Sequence, residues 1–344
     1  MLEHILKEAV RQNASDVHIK AGGVPVFRIN GVLSRQNLTA VSENEITSFI
    51  EQYGTCAVNE TEADFCCRID GAGSFRVHGY LQNGFPALAV RIIKSAVPSL
   101  SDLNAPPVLE KLAMQRSGLI LVTGPAGSGK STTLAAMVDF INRNKSVHIV
   151  TLEDPPEYRF TENKSIISQR QVGSDTASFA LGIRAALRQD PDVIMIGELR
   201  DAQTAAGAVS AAETGHLVLA TLHTRSAVLA VSRMLDFFAP EKQQQMRAQL
   251  AENLQAVIAQ LLVPGCHGGR TAAFEVLTFT QAVRSLLRDG KAHQLASYMQ
   301  SGRQQGMQCM DYALAYLAKT GKITKRTAQE YAFDIDLLNK YLLQ

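Results

Sequence analysis

Neither sign of charge prevails in this sequence: 34 lysines and arginines stand against 32 aspartates and glutamates, a net charge of +2. Such a balance leaves no electrostatic footprint for a polyanion, so nucleic acid is not indicated as a partner. Long apolar runs are also lacking. No stretch approaches the ~20 residues needed to cross a bilayer. The opening MLEHILKEAVRQNASD places acids inside its apolar pattern, where a secretory signal would carry a basic segment and a long apolar core. A cytoplasmic protein with no segment inserted in a membrane is the expectation. Cysteine is scarce, with Cys56, Cys66, Cys67, Cys266 and Cys309 and no C-x-x-C pair among them. Adjacent Cys66 and Cys67 would point to opposite faces of a strand, which argues against a shared metal ion. Small apolar fillers in a reducing compartment is the simpler reading of all five. No internal repeat or low-complexity tract is present.

What is there divides in two, as 344 residues exceed the usual reach of one hydrophobic core. The first hundred residues read as a small α+β unit. Leu2, Ile5, Leu6, Ala9 and Val10 keep helical spacing, after which SDVHIK alternates as a strand. In VFRINGVLSR, Asn30-Gly31 between two apolar runs is a hairpin signal. Ser42 and Glu45 form a capping box ahead of Ile46, Phe49 and Ile50. DFCCRID, SFRVHGYL and ALAVRIIK follow as three more strands. Pro98, Pro106 and Pro107 interrupt both periodicities and predict a linker over residues 98–107, between a domain at 1–97 and one at 108–344. From about residue 108, short apolar strands at 119–123, 147–152, 193–196 and 217–221 alternate with helices, the pattern of a largely parallel sheet covered on both faces. Beyond about residue 240 the expectation is mostly helical to residue 344, with Met246, Leu250, Leu254, Val257, Ile258 and Leu261 on one long amphipathic helix.

The chemistry concentrates at strand ends. LILVTGPAGSGKSTT holds a complete G-x-x-x-x-G-K-[ST] motif, Gly124, Pro125, Ala126, Gly127, Ser128, Gly129, Lys130 and Ser131, followed by Thr132. Glycines let backbone N–H groups wrap phosphates, and a helix N-terminus faces the same anion. Lys130 would reach the β- and γ-phosphates of ATP, and Ser131 would bind Mg²⁺. HIVTLEDPPEY ends a strand in Glu153 and Asp154, and VIMIGELRD ends one in Gly197-Glu198. The aspartate usual at a magnesium strand is absent at Gly197, so Glu198 and the Glu153–Asp154 pair would share its work, both strand ends facing the phosphate loop. On its own EDPPE is also compatible with a solvated acidic turn broken by Pro155 and Pro156. TGHLVLATLHT places His216 before and His223 after a strand. His223 reads either as a sensor of the γ-phosphate or of a neighbouring subunit, or as a satisfied structural histidine.

The order GPAGSGKS, EDPPEY, LRQDPDVIMIGELRD and TGHLVLATLHT resembles the Walker A, Asp box, Walker B and His box of the secretion ATPases of type II secretion and type IV pilus systems, in which Gly-Glu ends the Walker B strand. ASDVHIK and FRVHGYLQNGFPALAVRIIK resemble that family's N-terminal PAS-like domain, and AVRSLLRDGKAHQL resembles the AIRNLIRE segment of its pilus retraction branch. The resemblance implies a PAS-like α+β domain followed by a RecA-like P-loop domain with a helical C-terminal part. It also implies a homohexameric ring ATPase using ATP and Mg²⁺, at the inner face of the cytoplasmic membrane through a pilus platform protein. By the same analogy Glu198 is the Walker B acid and a magnesium ligand, Glu153 belongs to the Asp box, and Arg76 and Arg91 reach phosphate from the N-terminal domain. Without the family, both arginines read as an exposed strand face.

No C-x-x-C zinc motif is present, and neither a long extra N-terminal domain nor an extension after DIDLLNKYLLQ is expected. Extension and secretion motors commonly carry the first two, so twitching-type retraction is favoured. Departures from the retraction pattern are Ser285 for Asn, Asp289 for Glu and Pro156 for Ile. The alternatives are an extension or secretion motor, a nucleotide-switched assembly factor without turnover, and a nucleic-acid translocase.

Overall fold

The computed structural model describes all residues except 30, 55–61, 94–95, 267 and 344. Two compact units emerge, Met1–Ala96 with Pro155–Arg159, and Val97–Asp154 with Phe160–Gln344.

In the first unit, helices α1 (Leu2–Arg11) and α2 (Glu43–Tyr53) accompany six strands, β1 (Asp16–Lys20), β2 (Val26–Ile29), β3 (Val32–Arg35), β4 (Glu62–Ile69), β5 (Gly73–Gln82) and β6 (Phe85–Ile93). They form one sheet in the order β3-β2-β1-β6-β5-β4, antiparallel throughout. The helices lay Leu2, Ile5, Leu6, Ile46 and Phe49 on the face that carries Val17, Phe27, Phe75, Val77 and Val90. The backbone N–H of Ser42 donates to Glu45 at 2.9 Å, as the capping box requires. β2 and β3 pair as the hairpin expected there, although Asn30 of its turn lies outside the described residues. Alternation sends Asp16, His18, Arg76, His78 and Arg91 to the opposite face, with Asp16 opposite Arg91 and Arg91 opposite Arg76.

The second unit is built on β7 (Gly118–Thr123), β8 (His148–Glu153), β9 (Ile166–Gln171), β10 (Val193–Ile196), β11 (Leu217–Leu222), β12 (Leu254–Pro264) and β13 (Arg270–Thr278). Their order is β13-β12-β7-β11-β10-β8-β9, all parallel except β13, which runs antiparallel on the β12 edge. Helices α3 (Val108–Ala113), α4 (Lys130–Asn144), α5 (Phe179–Ala186), α6 (Ala202–Glu213), α7 (Ala227–Asp236) and α8 (Pro240–Asn253) cover both faces. β7 shows why its sequence is a continuous apolar run. Leu119 and Leu121 enter the core shared with α5, α6 and α7, whereas Ile120 and Val122 enter the one shared with α3 and α4. After β13 come α9 (Gln281–Arg288), α10 (Leu295–Ser301), α11 (Met310–Lys319), α12 (Lys325–Tyr331) and α13 (Ile335–Leu343).

The long helix expected from Met246 to Leu261 is corrected. Helix α8 stops at Asn253 and Leu254 opens β12, so the region beyond 240 is part helix and part sheet. β12 lies beside β7, with Ala256, Val257, Ile258 and Ala259 all fully buried. A strand buried on both faces is apolar at every position and therefore also matches a helical stripe, which periodicity alone does not separate. Strand β9 was not expected, because on the sheet edge its IISQRQ carries little apolar signal.

AVRSLLRD packs one side of its helix on its own unit. Val283 and Leu287 are buried in the main core. Arg284 donates to the carbonyls of Ala251 and Glu252 at 2.5 and 2.6 Å, closing the C-terminus of α8. Arg284 and Leu287 thus help to hold this unit together.

Among the described cysteines, Cys67 is buried and Cys266 exposed, so the filler reading suits the first and not the second; Cys56 lies outside the described residues. Burial, then the neighbouring Cys66, pushes the Cys67 thiol up to about 12. At pH 8 iodoacetamide should therefore label Cys266 in the native protein and reach Cys67 only after denaturation, as peptide mass spectrometry would show. Labelling of Cys67 at the rate of Cys266 would contradict this packing.

Candidate active site

The loop after β7 owes its shape to its neighbours. Gly124 has φ +153°, and a Cβ there would lie 2.4 Å from the Gln260 carbonyl oxygen of β12 and 2.5 Å from Ser128 Oγ, so no side chain fits. Gln260, 1 % exposed, also accepts from Thr133 of α4 at 2.6 Å and so fixes the helix against the strand. The Ser128 hydroxyl is buried with no hydrogen-bond partner. A buried polar atom in that condition calls for a ligand acceptor or donor at the loop. Lys130, buried at the start of α4, donates to the Gly124 and Pro125 carbonyls at 2.9 and 3.0 Å. Ser131 and Thr132 follow in the first turn of α4, the end of a helix that faces an anion with its partial positive charge.

Three other strand ends reach the same place. Glu198, two residues past β10, has its Oε1 3.0 Å from His223 Nε2 and accepts from Arg200 Nε at 2.7 Å. His223 Nδ1 stands 3.3 Å from the Lys130 ammonium. An ammonium only donates, so Nδ1 accepts and the ring proton sits on Nε2, aimed at Glu198. The histidine thereby joins the phosphate loop to the acid. Glu153, the buried last residue of β8, accepts from Thr151 at 2.8 Å and Gln169 at 3.0 Å. Asp154 pairs with Arg200 Nη1 at 3.2 Å. The Glu198 hydrogen bond, reinforced by both carboxylates, holds the Arg200 guanidinium above its ordinary value. His216, at the other end of β11, bonds Ala211 and Thr214 and stays outside this cluster.

Gly197 is where the commoner aspartate would stand. Its N–H donates to Leu152 O at 2.8 Å, and a Cβ would meet that oxygen at 3.2 Å and Glu153 Cα at 3.4 Å. The close approach of β8 and β10 explains why the acid is carried one residue later.

Lys130, Glu153, Glu198 and His223 are thus gathered in the second unit. Arg76 and Arg91 lie together in the first, where they share a concavity of about 320 Å³ with Asp16, His18, Asp64 and His78. Arg91 Nε donates to Asp16 at 3.1 Å. Sequence reasoning missed Arg200 as a site residue, although it stands two positions from Glu198, and it missed Gln260 and Thr123. The last bonds the backbone N–H of Thr224 at 2.8 Å and anchors the loop that carries His223. A lone polar residue inside an apolar strand, Thr123 or Gln260, was the available signal.

As a donor set, Ser131 and Glu198 are hard oxygen ligands suited to Mg²⁺. Among the described residues no group of three or more His, Cys, Asp or Glu side chains forms an all-protein cage. An ion held mainly by phosphate oxygens does not need one.

Gly197→Asp, which restores the commoner acid, should overpack the β8–β10 contact and lower Tm by roughly 2–10 °C. Gly197→Ala should lower it less. Thermal melts of the three proteins would check this, and an unchanged Tm for Gly197→Asp would show that the strand ends have room.

A model of the family described as type II/IV secretion system protein matches residues 1–324. The type IV pilus retractation ATPase PilT of Pseudomonas aeruginosa is 40% identical over 336 residues, 96% of this chain and 98% of that protein. A twitching motility protein of Neisseria gonorrhoeae is 41% identical over 318 residues, 90% of this chain and 84% of that one. The crystal structure of the pilus retraction motor PilT with bound ADP superposes with a TM-score of 0.90 at 41% identity, covering 98% of this chain and 99% of that one. Matched by the family model over residues 1–324 and 40% identical to a relative over 96% of its length, the protein belongs to the type II/IV secretion system protein family.

Proposed function

We propose that this chain is a Mg²⁺-dependent ATPase, a homohexameric ring motor that powers type IV pilus retraction. The observation that carries the reading is the contact series Lys130–His223–Glu198, which links the phosphate loop to a carboxylate through one imidazole. Likeness to a retraction ATPase over 96% of the chain supports the process. Residues 1–97 are assigned as the PAS-like domain, 98–107 as a linker, and 108–344 as the RecA-like domain with its C-terminal helices. The motor works in the cytoplasm against an inner-membrane pilus platform protein, without nucleic acid and without inserting into the membrane. No described helix is long and apolar enough to cross a membrane.

The residues divide the work by chemistry. Gly124 to Thr132 wrap the phosphates with backbone N–H groups and hydroxyls. Lys130 exchanges its bonds to the loop carbonyls for phosphate oxygens. Mg²⁺ when bound neutralises charge on the β- and γ-phosphates, and Ser131 and Glu198 are the residues to hold it. Glu198 polarises the attacking water, Glu153 orients it, and His223 holds Glu198 while sensing the γ-phosphate. Arg76 and Arg91 compensate transition-state charge when the domains close.

Lys130→Ala should weaken ATP binding and remove hydrolysis. Glu198→Gln should still bind nucleotide while turnover falls ~10²-fold or more, the scale of losing an acid–base group. Equilibrium binding of a fluorescent ATP analogue together with a phosphate-release assay separates the two. Full turnover in either variant would remove the site assignment. In cells lacking the chromosomal copy, Glu198→Gln should leave surface pili in place and stop twitching; loss of the pili would instead identify an extension motor.

Arg76→Ala and Arg91→Ala should each depress turnover with melting temperature unchanged. Wild-type rates in both would return these arginines to an ordinary exposed sheet face.

A further inference from the structure

Glu275 is a buried acid that the chemistry above does not use. It lies on β13, 5 % exposed, opposite Ala259 of β12. Its two oxygens serve two different helices. One accepts from the backbone N–H of Ala227, the first residue of α7, at 2.7 Å, and the other from Met310, the first residue of α11, at 3.3 Å. Burial pushes its carboxyl up, and the charge acting on it, Asp311, is of like sign. A carboxylate sunk this way is costly, yet an apolar residue in its place would leave both backbone N–H groups without an acceptor. Position is what it provides, since a single rigid group fixes the starts of both helices at once.

Both helices lead somewhere. Ala227 comes four residues after His223, and the loop between them is anchored on its other side where Thr224 N–H meets Thr123, the residue before the phosphate loop. From Met310 the path continues through a second buried acid, Asp311, 4 % exposed. It accepts from the N–H groups of Phe333 and Asp334 at 2.8 and 3.2 Å. Asp334 in turn accepts from Asp336 and Leu337, both at 3.0 Å, and so caps α13.

We infer that Glu275 is a positioning residue that joins the His223 loop to the C-terminal helices, so that a displacement of His223 at the phosphates is passed to α11 and, through Asp311, to α13. The inference rests on the ATPase reading. It locates the transmission between hydrolysis and the far surface in two buried carboxylates, Glu275 on the first residues of α7 and α11 and Asp311 on the two residues that lead into α13. Charge-assisted bonds from a carboxylate to backbone N–H groups are short and directional, which suits a joint that must move as one body. Glutamine at 275 keeps the volume but offers only one acceptor oxygen. Its NH₂ must then face one of the two backbone N–H groups, so one helix is released.

The test is hydrogen exchange by mass spectrometry on the full chain, with and without the non-hydrolysable probe AMP-PNP and Mg²⁺, alongside steady-state ATPase kinetics. In the wild type the probe should slow exchange in the phosphate loop and change it in 310–343. Glu275→Gln should keep the response of the phosphate loop, lose that of 310–343, and lower kcat by roughly two- to thirty-fold, the range for mutations along a coupled network, with KM for ATP near the wild-type value. If Glu275→Gln fails to fold, Asp311→Ala should keep the response through 310–319 and lose it at 334–343. A nucleotide response in 310–343 that survives Glu275→Gln, or in the second variant one that survives at 334–343, would overturn the joint. So would a wild-type phosphate loop that responds while 310–343 does not. If the wild type neither binds the probe nor turns over ATP, it is the ATPase reading that fails.

Discussion

One imidazole sets the arrangement of this molecule's chemistry. His223 accepts from the Lys130 ammonium on one nitrogen and donates to Glu198 from the other, so its tautomer follows from its two neighbours. It can stand there only because β7, β10 and β11 lie in one parallel sheet and deliver their carboxyl ends to the same edge. The order in which β11 separates β7 from β10 is therefore a functional constraint. A histidine on the middle strand is the residue that can touch both neighbours' loops.

Charge around the cluster is balanced locally. Arg200 faces both Glu198 and Asp154, and Lys130 is satisfied by its own loop's carbonyls. Such a site is also ready for an anion, because the loop carbonyls and the imidazole that accept from the ammonium are neutral, and a phosphate oxygen outcompetes them. Arg91 shows the same economy in the first unit, where Asp16 accepts from it and the adjacent Arg76 has a like charge across the strand pair. Across the strands the order is Asp16, Arg91, Arg76, so the carboxylate holds the nearer arginine and Arg76 lies beyond it.

Much of this was legible because it is local. The phosphate loop, the Gly197-Glu198 strand end, the Ser42–Glu45 cap and the β2–β3 hairpin depend on a few consecutive residues, and for each the governing physics acts within one turn or one strand. Legibility ended where meaning depends on a distant partner. Val257 and Ile258 spell helix or strand equally well until β7 is known to lie beside them. Nothing within AVRSLLRD announces that Arg284 meets the carbonyls of α8 or that Leu287 enters the main core. Gly197 looked like a missing acid, and only the 3.2 Å approach of Leu152 O shows that the position has little room for a side chain.

Buried acids extend this contrast. Glu275 and Asp311 carry no sequence signal, since a glutamate in a strand and an aspartate in a helix's first turn are ordinary. Their partners are backbone N–H groups at residues 227, 310, 333 and 334, and a backbone group has no letter in the sequence. A fold that used salt bridges for these joints would need a matching cation for each acid and would pay desolvation on both partners. Helix N-termini offer the positive end of a dipole at no cost in side chains. The consequence is mechanical: Glu275 binds the first residues of two helices and Asp311 the two residues that lead into a third, so what they transmit is the motion of rigid rods. In a protein whose chemistry is confined to the edge of one sheet, that is a physical route from the phosphates to a surface several elements away.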